Sequence, residues 1–174
     1  MKKLVFLYIS FCCTVVGLAE TLSTTMPMTS PVDGYVSSEF GYRISPFTHQ
    51  TAFHEGIDIA ALPGTHIYSP ADGRVSAIGR MAGLGRYVIL THRNGITTRY
   101  GHVKAIKVRQ GQSIGRGTWI ACVGRSGRTT GPHLHYEIRI HGRPVDPRKF
   151  ILNLSASTVR IKHRKKTDRH RHHA

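Results

Sequence analysis

From Pro31 to about Leu154, apolar and polar residues alternate in short bursts, and a glycine ends almost every burst. Alternation with period two belongs to an extended chain, whose successive side chains point to opposite faces. Gly73-Arg74-Val75-Ser76-Ala77-Ile78, Tyr87-Val88-Ile89-Leu90-Thr91-His92 and Ile96-Thr97-Thr98-Arg99-Tyr100 are the clearest cases. Asn94-Gly95 joins the last two, and this dipeptide favours the left-handed backbone of a tight hairpin turn. No stretch of a dozen residues repeats its apolar positions at helical spacing. The 18 glycines are scattered, as many tight turns require. These features predict an all-β fold: a compact domain of short, mostly antiparallel strands. A chain of 174 residues, 40% of them hydrophobic, has room for one such domain and not comfortably for two.

The two ends follow other rules. Lys2 and Lys3 precede an apolar run from Leu4 to Ala19, and Gly17-Leu18-Ala19 offers small residues where a signal peptidase cuts. Residues 1–19 are therefore expected to be a signal peptide, removed before Glu20. An uncleaved membrane anchor is the competing reading, although the run is short beside the roughly 20 apolar residues of a bilayer crossing. Such a leader sends the chain to the periplasm, the cell envelope or the medium. Cys12 and Cys13 leave with it, so Cys122 has no internal disulfide partner. The apolar neighbours of Cys122, Trp119 to Val123, predict a buried packing residue.

Residues 20–30, rich in Thr and Ser, read as a flexible lead-in to a domain spanning 31–154. Beyond it, Arg160, Lys162, Arg164, Lys165, Lys166, Arg169 and Arg171 crowd a stretch whose one acid is Asp168. Residues 155–174 have little to bury and read as a disordered basic tail. With a net charge of +16 the chain seeks polyanions. After export these are anionic envelope polymers and lipid head groups, to which the tail could act as a tether. The leader argues against nucleic acid.

Two segments carry candidate chemistry. In Gly131-Pro132-His133-Leu134-His135-Tyr136-Glu137-Ile138-Arg139-Ile140, Leu134, Tyr136, Ile138 and Ile140 fall on one face and His133, His135, Glu137 and Arg139 on the other. The two imidazoles lie about 7 Å apart along such a strand, close enough for one to bind a metal while the other handles a proton. In His54-Glu55-Gly56-Ile57-Asp58-Ile59-Ala60, the alternation favours a strand with Ile57 and Ile59 in the core and His54 and Asp58 aimed together to the other side. His nitrogen and Asp oxygen are normal zinc ligands, and one further His would leave the open fourth position that a catalytic site needs. His102, beside Gly101 at a predicted strand end, is the remaining candidate. The spacing alone leaves metal ligation and ordinary packing histidines both standing, and the His-Glu-x-x-His signature is absent. His49, His66, His92 and His141 read as non-catalytic.

Blocks in a fixed order narrow this further. Ser37-Ser38-Glu39-Phe40-Gly41-Tyr42-Arg43, Phe53-His54-Glu55-Gly56-Ile57-Asp58-Ile59-Ala60 and Ala71-Asp72-Gly73-Arg74-Val75 come first. Arg99-Tyr100-Gly101-His102, Ile120-Ala121-Cys122-Val123-Gly124, Thr130-Gly131-Pro132-His133-Leu134-His135-Tyr136-Glu137 and Pro144-Val145-Asp146-Pro147 follow. Over roughly residues 31–152 the chain resembles the lysostaphin/LytM-type zinc metallopeptidases of peptidoglycan. The resemblance implies an antiparallel β-sheet with an open groove for stem or cross-bridge peptides. It implies one zinc ion per chain held by His54, Asp58 and His135, and active-site roles for His102 and His133. It implies hydrolysis of peptidoglycan cross-links in the cell envelope, with a non-catalytic activator of a wall amidase as the alternative. His66 stands where many relatives have Pro, and Cys122 takes a usual apolar core position.

Overall fold

The computed structural model describes residues 26–27 and 29–151. The expected signal peptide, most of the lead-in and the basic tail lie outside the described residues. Among those described there is no α-helix, and no helix is long and apolar enough to cross a membrane. The strands are β1 (Tyr35–Ser38), β2 (Gly41–Ile44), β3 (Thr51–His54), β4 (Ile57–Ala60), β5 (His66–Tyr68), β6 (Gly73–Met81) and β7 (Gly85–Thr91). They continue with β8 (Ile96–Gly101), β9 (Val103–Lys104), β10 (Ser113–Ile114), β11 (Trp119–Val123), β12 (His133–Ile140) and β13 (Arg143–Val145). A single 3-10 turn at Pro147–Lys149 is capped by the Asp146 side chain, which accepts from the Arg148 backbone N–H.

Every pairing is antiparallel. The main sheet runs β1-β4-β12-β8-β7-β6-β10, with β13 added beside β12. A small sheet, β5-β11-β9, and a two-stranded ribbon, β2-β3, complete the domain. The Asn94-Gly95 turn forms between β7 and β8 as expected: both residues have positive φ, 58° and 69°. The alternation in β12 also holds. Leu134, Tyr136 and Ile138 are fully buried, and they pack with Ile57, Ile59, Val75, Val88, Leu90 and Tyr100 in one core. Burying each such side chain contributes about 1.5–3 kcal/mol, which offsets the ordering of many short strands. Cys122 is buried and unpaired. Met26, at the end of the lead-in, rests partly buried against the same core.

One expectation fails. His54 to Ala60 is not one strand: it breaks at Glu55-Gly56, so His54 ends β3 and Asp58 lies within β4. The reason is that β3 pairs with β2 in the ribbon, whereas β4 pairs with β1 and β12 in the main sheet. The chain crosses between them over the backbone of β12. A Cβ on Gly56 would sit 2.3 Å from the Tyr136 carbonyl oxygen, so only glycine fits the crossing.

Candidate functional site

The register of the main sheet begins the site. His135 on β12 lies directly opposite Asp58 on β4 and, on its other side, opposite Gly101 on β8. The ribbon then delivers His54 from a third direction. His135 Nδ1 lies 2.9 Å from Asp58 Oδ1, His54 Nε2 lies 3.2 Å from the same oxygen, and the two nitrogens are 3.1 Å apart. All three residues are buried.

Their outer partners fix which atoms face inward. His54 Nδ1 donates to the Glu39 carbonyl at 2.7 Å, leaving a bare lone pair on Nε2. His135 Nε2 donates to Glu137 Oε1 at 3.3 Å, leaving Nδ1 to face the centre. Two imidazole lone pairs and a carboxylate oxygen thus converge with no donor among them unless a proton or a cation takes the middle. Donors about 2.0–2.2 Å from a tetrahedral zinc sit about 3.3 Å from each other, close to the spacing observed. The donor set and its geometry fit zinc.

Burial alone would lower the His135 pKa, but hydrogen bonds to Asp58 and Glu137 outweigh it and raise the value to about 9. Burial pushes Asp58 up, yet the hydrogen bonds from His135 and His54 hold it far below the usual carboxylate range. A metal binding here must therefore displace the His135 proton.

His133 and His102 border the same centre. His133 Nδ1 donates to the Gly131 carbonyl at 2.9 Å, and its Nε2 lies 3.5 Å from Asp58 Oδ1. His102 Nδ1 donates to the Ser126 carbonyl at 2.7 Å. Both rings therefore present a basic Nε2, and they stand edge to face at 4.7 Å between centroids. Burial lowers both pKa values, that of His102 to about 4, so both are neutral at physiological pH. His102 occupies a left-handed backbone, φ 61°, between β8 and β9. A non-glycine residue there costs on the order of 1 kcal/mol or more, and such strain is typical of functional positions.

The five residues line one cleft of about 690 Å³, together with residues of the β2-β3 ribbon and its turn and with Arg128 to Thr130. His49, His66, His92 and His141 are not part of its lining. His92 instead bridges the Asp72 carbonyl and Thr98 Oγ1 at 2.7 and 2.8 Å, while His66 stacks on Trp119. Sequence reading assigned no role to Glu137, although its place on the His135 face was visible. It could not find Glu39 or Ser126, because they act through backbone carbonyls that any residue carries.

Fold and site together define an all-β protein with an open cleft over three residues, His54, Asp58 and His135, that could hold a metal ion. Comparison with known proteins gives the family. The model of peptidase family M23 matches residues 52–147. The chain is 48% identical over 112 residues to the DD-carboxypeptidase/endopeptidase Mpg of Neisseria meningitidis serogroup B, covering 64% of this chain and 26% of that protein. It is 41% identical over 130 residues to the peptidoglycan DD-endopeptidase ShyA of Vibrio cholerae, covering 73% and 30%. A solved zinc-containing peptidase from Vibrio cholerae superposes with a TM-score of 0.63 at 39% identity, over 67% of this chain and 37% of that one. The chain belongs to peptidase family M23. It spans less than a third of the length of the two curated relatives. Zinc is the metal that the family and the donor set agree on.

Proposed function

We propose that this protein is a zinc-dependent endopeptidase that hydrolyses peptide cross-links of peptidoglycan, with its metal on His54, Asp58 and His135. The convergence of three lone-pair donors on one point beside two neutral histidines carries the reading. The DD-endopeptidase names of its relatives favour a DD cross-link as the bond cut.

Held by His54, Asp58 and His135, zinc would supply a bound water of pKa about 7 and a positive charge to polarise the scissile carbonyl. The chain's own residues supply the rest. Glu39 and Glu137 lock the two ligating rings in the tautomers that face inward. His102 and His133 offer a bare Nε2 to take the proton of the attacking water, and the ring so protonated can return a proton to the leaving amine or donate to the oxyanion. The sheet face between the ribbon and the Arg128–Thr130 loop receives an extended peptide. The leader over residues 1–19 favours action in the periplasm or envelope, and the basic residues after Ser155 favour a tether to anionic envelope polymers.

The test is muropeptide analysis of sacculi incubated with the protein, with and without a chelator. Cross-linked dimers should fall and monomers rise, and chelation or His135→Ala should stop both. Sacculi left intact by zinc-loaded protein, with product appearing only when an amidase is added, would replace this reading by the activator alternative.

A further inference from the structure

Three arginines line the cleft, Arg43 on β2, Arg99 on β8 and Arg128 on the loop between β11 and β12, and none of them donates a side-chain hydrogen bond to a described residue. Arg139, just outside, behaves differently: it donates to the Gly142 carbonyl, Glu55 and Glu137. Arg43 reaches Asp58 only at 3.6 Å and Arg99 reaches Glu137 only at 3.7 Å, both too long for a hydrogen bond. The Nε atoms of Arg43 and Arg99 are buried without a partner. Their side chains are 33% and 31% exposed, so the guanidinium groups still border the open cleft. Arg128 forms no ion pair among the described residues; its guanidinium lies 4.4 Å over the Phe47 ring, which holds it in place.

Guanidinium N–H groups that border a cleft without a hydrogen-bond partner are free to take an acceptor from a bound ligand. The carboxylates nearby are already used. Glu137 is shared by His135 and Arg139. Asp58 faces His54 and His135, and a dication there would spend its charge and leave Arg43 uncompensated. The loop that carries Arg128 is pinned in register with the site. The Arg128 backbone N–H donates to the Gly83 carbonyl at 3.0 Å, and Thr129 Oγ1 lies 3.2 Å from His133 Nδ1.

We propose that Arg43, Arg99 and Arg128 read a free carboxylate on the substrate, so that the cleft selects a peptide bond flanked by an acidic group. This rests on the peptidase reading above and adds its substrate charge. A guanidinium suits the role because its planar fork matches a carboxylate with two parallel hydrogen bonds.

The experiment compares two synthetic cross-linked peptides that differ only in that carboxylate, free in one and amidated in the other. Binding to zinc-loaded protein is read by fluorescence anisotropy and cleavage by chromatography. Amidation should weaken binding and raise KM about ten- to a hundredfold, with kcat changed far less. Arg99→Gln and Arg128→Gln should each shrink the preference, and Arg99→Lys should keep part of it. Circular dichroism checks the fold of each variant. Equal binding and equal cleavage of the two peptides would overturn the proposal. If neither peptide is cut but the free acid still binds better, and Arg128→Gln removes that preference, the carboxylate reading stands and the peptidase reading falls.

Discussion

At the scale of single residues, the proposed metal centre is shaped as much by outer partners as by His54, Asp58 and His135 themselves. Glu137 is 2% exposed and holds Nε2 of His135, while Arg139 Nη1 holds Glu137 at 2.6 Å. Burial would raise the Glu137 pKa, but hydrogen bonds from His135 and Arg139 lower it, so the carboxylate stays charged and orients the ring. Glu137→Gln keeps the shape and loses the charge. It should weaken zinc binding about ten- to a hundredfold without unfolding the protein. Chelator competition reads the affinity and circular dichroism the fold. Unchanged affinity would show that His135 is held by packing alone.

At the scale of elements, the site depends on how the β2-β3 ribbon is hung from the main sheet. The crossing at Glu55-Gly56 sets both the direction of His54 and the pairing of β4 with β12. Gly56→Ala would drive a methyl group into the Tyr136 carbonyl, where neither backbone can yield easily. The expected cost is about 2–4 kcal/mol, with zinc affinity lost in step because His54 is displaced. Thermal unfolding and zinc titration of this variant check both effects. Stability within about 0.5 kcal/mol of the parent would mean that the ribbon is free to shift.

For the whole molecule, the cluster of buried histidines makes stability sensitive to acid. Burial lowers the pKa of His92, His102 and His133 from the usual 6.5. Each therefore contributes stability that is fully present above pH 6.5 and is lost as pH falls through its folded value, which for His102 is about 4. Asp58 and Glu137, held low, act in the same direction. His135 opposes them: its contribution is present below pH 6.5 and lost as pH rises through about 9. Scanning calorimetry from pH 7 to pH 4 should show Tm falling as the native state refuses protons that the unfolded chain accepts. A Tm that rises over this range would contradict the buried neutral histidines.

What the sequence determined by itself is the set of local choices. Period-two alternation and Asn94-Gly95 specified strands and a hairpin, because both depend only on neighbouring residues and on allowed backbone angles. The histidine and aspartate candidates were visible through their spacing and through resemblance to a family. The tertiary structure decided what spacing cannot encode. It split His54 and Asp58 between two sheets, since strand pairing is a contact between distant residues. It chose the inward nitrogen of each ring, because the carbonyl of Glu39 and the carboxylate of Glu137 reach those rings only once the sheet has closed. It also left the cleft arginines without hydrogen-bond partners, a property of the folded surface that no single residue carries.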